Sequence, residues 1–212
     1  MNKEHDLVIL IAWHTETSAD RVTVFNANMV SFREYNPDIH IEVIINPFPD
    51  KREAWLSTDL SIFSWYRDNV NVVSARYLIV EWDCWCNCDL RDYYKKVWEC
   101  DLVVPNVKYP EIDDWYWFSQ VDHLPVHLRP FATGITPFCG VLVSDKAMRS
   151  ICDVIFDAGF NGLNSELRFA TIATMLNIHP IVNPVFNRTL GWRAPFPGSE
   201  QHVGLHHPRK EL

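Results

Sequence analysis

The sequence predicts an α/β fold with a mixed, mostly parallel central sheet flanked by helices. Three observations carry that prediction. Apolar runs such as LVILIAW (residues 7–13) and RYLIV (76–80) show no polar alternation, as in strands buried on both faces. Segments of helical period follow them, so strand and helix alternate through the first half. The runs then stop at polar or turn-forming residues, where open α/β sheets bind their ligands.

The elements follow in order. Residues 7–13 form the first strand. Thr17, Ser18 or Asp20 can cap a helix running through about residue 35, with Val22, Val24, Phe25, Met29, Val30 and Phe32 on one face. Asn36-Pro37-Asp38 stops it. A second strand, IHIEVII (39–45), runs into the irregular Asn46-Pro47-Phe48-Pro49. A helix over about 51–66, a third strand (76–81), a short helix (89–98) and a fourth strand (101–105) come next. Successive β-α steps imply parallel neighbours with right-handed crossovers. Residues 109–137 break the rhythm with Trp, Tyr, Pro and His. A strand (140–144), two helices (145–156 and 164–176) and a strand (179–185) precede a polar, histidine-rich tail. The 212 residues suit one domain, with a Rossmann-like nucleotide-binding half (1–108) and an irregular, aromatic-rich half (109–212).

Composition narrows the function. A hydrophobic content of 48% supports a sizeable core and argues against disorder. A net charge of −8 argues against general nucleic-acid binding, which needs a basic face. No apolar stretch approaches the ~20 residues of a membrane helix, and the start does not read as a signal peptide. The expectation is a cytoplasmic protein without a membrane span. The 6 cysteines are then expected as free thiols. Cys84, Cys86 and Cys88 are spaced by one residue, not by the two or more usual in metal sites, and read as small buried side chains. With 7 glycines and no glycine-rich phosphate loop, a Rossmann dehydrogenase or P-loop kinase is disfavoured.

The third strand runs straight into Glu81-Trp82-Asp83. In an extended chain alternate side chains share a face, so the two acids point the same way. Their repulsion is relieved by a divalent cation such as Mg2+ or Mn2+, which also grips a diphosphate. A solvated strand end with two unrelated acids is the competing reading. In the tail, His206 and His207 are adjacent; imidazole is a normal ligand for Mn2+, and an exposed terminal tail is the competing reading. Glu166 stands in the first turn of an apolar helix, where an acid can serve the helix dipole alone. Trp13, His14 and Thr15 end the first strand and Asn46 the second, in reach of a nucleobase. Asp59 is unusual on an apolar-rich helix and is a candidate ribose or base contact. Arg76 and Trp82 complete the nucleotide set. The run Asp113-Asp114-Trp115-Tyr116-Trp117-Phe118, with Trp192, offers flat faces for sugar rings and acids for their hydroxyls.

This order of features resembles the GT-A glycosyltransferases, whose Asp-x-Asp motif is matched here by Glu81-Trp82-Asp83. Glu in the first position is a departure from that pattern. In size the chain also looks like the N-terminal transferase domain of a chlorovirus glycosyltransferase. The resemblance implies a UDP-sugar donor, Mn2+ or Mg2+ held by Asp83, Glu81 and a tail histidine, Lys210 on the diphosphate, and Glu166 as the base of an inverting transfer to a glycan acceptor. Two other classes fit parts of the pattern. A metal-dependent nucleotide-sugar hydrolase or nucleotidyltransferase could use the same acids. A non-catalytic carbohydrate-binding module accounts for the aromatics but not for Glu81, Asp83 and Glu166 together.

Overall fold

The structure, a computed structural model, describes residues 3–14, 18–48 and 50–211. In chain order its elements begin with β1 (Lys3–Trp13), α1 (Ala19–Tyr35), β2 (His40–Ile45), α2 (Lys51–Leu56), α3 (Thr58–Asp68) and β3 (Val72–Glu81). Then come β4 (Trp85–Cys86), α4 (Leu90–Tyr94), β5 (Leu102–Val104), β6 (Val107–Lys108), β7 (Gly134–Ile135) and β8 (Val141–Ser144). The chain continues through α5 (Asp145–Cys152), α6 (Ser165–Met175), β9 (Ile181–Val182) and β10 (Leu205–His206).

The central sheet has the order β2-β1-β3-β8-β5-β9. β1 pairs in parallel with both β2 and β3. β8 is antiparallel to its neighbours β3 and β5, and β9 is parallel to β5. The sheet is therefore mixed and mostly parallel, with β8 reversed. The unbroken apolar runs are explained by two cores, one on each face. Val8, Leu10, Tyr77 and Ile79 enter the core beneath α3, α5 and α6. Leu7, Ile9, Leu78 and Val80 enter the other, beneath α1. Alternate side chains of one strand thus feed opposite cores, so every position must be apolar.

Several boundaries move for local reasons. Ser18 caps α1, its hydroxyl accepting from Arg21 N. Val22 and Val30 are exposed, and the buried face of α1 is Val24, Asn28, Met29 and Phe32. Asn28 belongs there because its amide donates to the Trp82 carbonyl at 3.1 Å. The single helix expected over 51–66 breaks at Ser57, where Thr58 N donates to Ser165 Oγ of α6. The last strand shrinks to the exposed pair Ile181–Val182 at the sheet edge.

The tail is ordered by pairing. β10 lies antiparallel to β4, with Leu205 opposite Cys86 and His206 opposite Trp85. Since β4 directly follows the loop after β3, this pairing brings the end of the chain back to the acids. All six cysteines are free, and Cys84, Cys86 and Cys88 are buried. Among the described residues no helix is long and apolar enough to cross a membrane.

Candidate active site

A cleft of about 700 Å³ opens at the carboxyl ends of β1 and β3. Glu81, Asp83 and His207 meet on it. The expected extended Glu-x-Asp is in fact a turn: β3 stops at Glu81, and Cys84 N donates back to the Glu81 carbonyl at 3.1 Å. Both acids still reach one imidazole. His207 Nε2 lies 3.0 Å from Glu81 Oε2 and 3.3 Å from Asp83 Oδ1. The His207 side chain is 4% exposed, that of Asp83 6% and that of Glu81 22%, so the contact is largely shielded from solvent screening.

The backbone holds this arrangement on every side. His207 N donates to Thr189 O, Gly191 N donates to His207 O, and Arg209 N donates to Asp83 O at 2.7 Å. His207 Nδ1 lies 2.6 Å from Gly191 O, which fixes it as the protonated nitrogen. A side chain at 191 is excluded, because a Cβ there would stand 2.1 Å from Ala194 O.

In the neutral ring, Nε2 then turns a lone pair toward two carboxylates. Two carboxylates approaching one ring nitrogen in a shielded spot call for a cation. A proton is one answer: burial by itself disfavours the imidazolium, but the Asp83 and Glu81 carboxylates raise the His207 pKa well above its ordinary value. A divalent ion is the other. Asp83 Oδ1 is buried and makes no hydrogen bond among the described residues. An oxygen left in that state suits a hard ion, and the two carboxylates and one imidazole form a suitable donor set for Mn2+ or Mg2+.

Glu166 lines the same cleft from the first turn of α6, where Asn164 caps the helix by accepting from Leu167 N. Asn164 Nδ2 also donates to Glu166 Oε2 at 3.4 Å. Burial, followed by the neighbouring charge of Glu81, pushes the Glu166 pKa up to about 8. An acid tuned to that range suits proton transfer near neutral pH.

Trp13, His14, Asn46 and Trp82 also line the cleft. Trp13 stacks on Phe25 at 4.2 Å and meets Trp82 edge-on at 5.9 Å. Asn46 is spent on the loop, its amide donating to Ala54 O while its oxygen accepts from Phe48 N. Lys210 and Trp192 lie on the wall.

Other expected contacts lie elsewhere. His206 faces away from the acids and stacks on Trp85 at 4.0 Å, because neighbouring strand residues point to opposite sides. Burial lowers its pKa to about 4. Asp59 is fully buried, in a two-pronged pair with Arg168 at 2.6 and 2.8 Å. Arg76 lies within β3, away from the cleft, and bonds the Cys100 carbonyl. Asp113 pairs with Lys108 at 2.8 Å, and Asp114 is exposed outside the cleft. Trp115 is buried against Gly134, where even a Cβ would stand 2.2 Å from its ring. Thr15 lies outside the described residues.

Other residues take those places. Tyr116 and Trp117 line the cleft with Trp55, their rings 4.9 and 5.5 Å from one another along the series Tyr116–Trp117–Trp55. The aromatic run signalled them; Tyr116, in the 3₁₀ turn, is exposed, while Trp117 is largely buried and reaches the cleft from the core. Arg21, Arg52 and Arg193 add positive charge to the walls. Beneath the acids, Cys139 joins Glu81 and His207 with ligand atoms all within 4.8 Å of one another. Nothing in the sequence near Cys139 marks it.

The sequence matches no protein-family profile and no curated protein. The fold has clear likenesses among solved structures. One is a glycosyltransferase involved in the glycosylation of the major capsid of PBCV-1, with a TM-score of 0.55 at 9% identity, covering 95% of this chain and 91% of that one. Another is the apo form of mouse xyloside xylosyltransferase 1, with a TM-score of 0.51 at 10% identity, covering 97% of each chain. The fold is that of the GT-A glycosyltransferases.

Proposed function

We propose that this chain transfers a hexose or deoxyhexose from a UDP-sugar to a hydroxyl of a glycan acceptor, with the help of a divalent metal ion and with inversion. One observation carries the reading: the pair Glu81–Asp83 meets His207 at the strand-end cleft of this fold, and Glu166 lines the same cleft. Asp83, Glu81 and His207 would hold Mn2+ or Mg2+, which would supply Lewis-acid neutralisation of the departing diphosphate.

The remaining residues divide the work. Trp13, His14 and Trp82 take the nucleobase and ribose. Lys210, with Arg193 beside it on the wall, meets diphosphate charge that the metal leaves unbalanced. Tyr116, Trp117, Trp55 and Trp192 present apolar faces to sugar rings. Glu166 accepts the proton of the acceptor hydroxyl as that oxygen attacks the anomeric carbon from the side opposite the diphosphate. The Glu81 charge that raises the Glu166 pKa falls when a cation is bound, so metal loading and base ionisation go together.

The test is a panel of UDP-sugars incubated with glycan acceptors in Mn2+ or in chelator, with UDP release and product anomer recorded. Release that needs both metal and acceptor supports transfer. Release without acceptor identifies a hydrolase, and metal-indifferent glycan binding without release identifies a binding module.

A further inference from the structure

Behind two of the cleft residues lies a donor that the transferase reading does not use. Cys139 is fully buried, and its sulfur lies with a Glu81 oxygen and a His207 nitrogen inside a 4.8 Å span. Tetrahedral zinc, with bonds of about 2.0–2.3 Å to nitrogen, oxygen and sulfur, places its ligand atoms about 3.3–3.8 Å apart. The three donors therefore need to close by only about an ångström. Two of them, Glu81 and His207, line the cleft and give an ion its path inward. The third is soft, and thiolate selects Zn2+ or Co2+ over Mg2+ and Mn2+.

We propose that Glu81, Cys139 and His207 form a second, thiophilic metal site that takes Zn2+ or Co2+ and excludes the hard ion from the cleft. The idea rests on the reading of Glu81 and His207 as metal ligands. It adds that the two kinds of ion share those residues and differ in the third: Asp83 for the hard ion, Cys139 for the soft one. Burial, with Cys84 beside it, holds the Cys139 pKa well above the ordinary thiol value, so the free site carries a neutral thiol. On binding, the metal–sulfur bond forms as the S–H bond breaks, the metal–nitrogen bond forms as the proton that the carboxylates hold on His207 Nε2 leaves, and both protons pass to the buffer. No electron is transferred. Since Glu81 and His207 cannot serve both ions at once, Zn2+ inhibits by displacement.

The experiment titrates the whole chain with Co2+ and follows thiolate-to-cobalt charge-transfer absorption. The wild type is expected to show the band. Cys139→Ser is expected to lose it, with Zn2+ affinity reduced roughly tenfold or more and Mn2+ affinity nearly unchanged. Asp83→Asn reverses the pattern, weakening Mn2+ and keeping the band. A Cys100→Ser/Cys152→Ser double variant, which removes the two part-exposed thiols, keeps it as well. Bound Co2+ without the band, or a band that survives Cys139→Ser, overturns the proposal. If Cys139→Ser does not fold, X-ray absorption of the Zn2+-loaded wild type decides: a sulfur shell near 2.3 Å supports the site and its absence overturns it. Mn2+ paramagnetic resonance with UDP reports separately on the hard ion. A cobalt band without Mn2+ binding removes the hard-ion reading and leaves the thiophilic site standing.

Discussion

Glu81 and His207 stand 3.0 Å apart, one at the end of a central strand and the other in the tail. The contact joins the strand-end crevice of the α/β sheet to a chain end held by Thr189, Gly191 and Asp83 backbone groups. The cleft is complete only when the tail is docked, and its chemistry depends on residues distant in sequence.

The two tail histidines should therefore behave differently. His207→Ala removes a proposed ligand and is expected to lower Mn2+ affinity about 10–100-fold in calorimetry. His206→Ala should leave Mn2+ affinity within about twofold. It gives up the stack on Trp85, worth about 0.5–1.5 kcal/mol, which urea denaturation reads directly. Equal effects on metal binding would break the distinction.

Glu166 should show itself through pH. As the base it must be ionised, so turnover should rise toward pH 8 in the wild type, with the midpoint falling as Mn2+ is added. Glu166→Gln is expected to cut turnover about 10²–10⁴-fold with UDP affinity kept. Stability runs the other way. A carboxyl whose folded pKa is raised helps most below its unfolded value and loses that benefit as pH climbs through about 8. Glu166→Gln should accordingly melt higher than the wild type above pH 8, without metal, and gain little near pH 4.

Asp59 and Arg168 should prove structural. Their buried pair ties α3 to α6, and Arg168 also bonds the Leu163 and Leu56 carbonyls. Asp59→Ala leaves a buried guanidinium unpaired and should cost about 3–5 kcal/mol by urea denaturation. The folded fraction should keep its KM for the donor, since Asp59 does not reach the cleft. A selective rise in that KM would restore Asp59 to the nucleotide site.

The aromatic residues divide in the same way. Tyr116, 69% exposed on the cleft, is expected to affect only the acceptor KM when changed to Ala. Trp115→Ala empties a packed site and should destabilise by about 3–5 kcal/mol. Initial rates over acceptor concentration, read beside thermal melts, separate the two.

Much of this was legible in the sequence. The unbroken runs at 7–13 and 76–80 announced strands buried on both faces, and one of the three residues offered as a cap for α1, Ser18, does cap it. Glu81, Asp83, Glu166 and His207 were marked by position and do share the cleft. What stayed hidden was decided by long-range contact. The reversal of β8, the pairing of β10 with β4 and the approach of Cys139 join distant segments without a local pattern. Asp59 misled because a polar residue on an apolar helix looks the same whether it meets a ligand or a buried Arg168. In the aromatic run, composition marked the wall, but the turn through residues 116–123 chose Tyr116 and Trp117 over Trp115.

The central claim is that the acids at the end of β3 bind nucleotide through a metal. Its most direct test is calorimetric titration of UDP into wild-type protein and Asp83→Asn, each with Mn2+ and with chelator. Wild type should bind UDP about tenfold or more tightly with Mn2+, and Asp83→Asn should lose that gain. The same UDP affinity in all four titrations would contradict it.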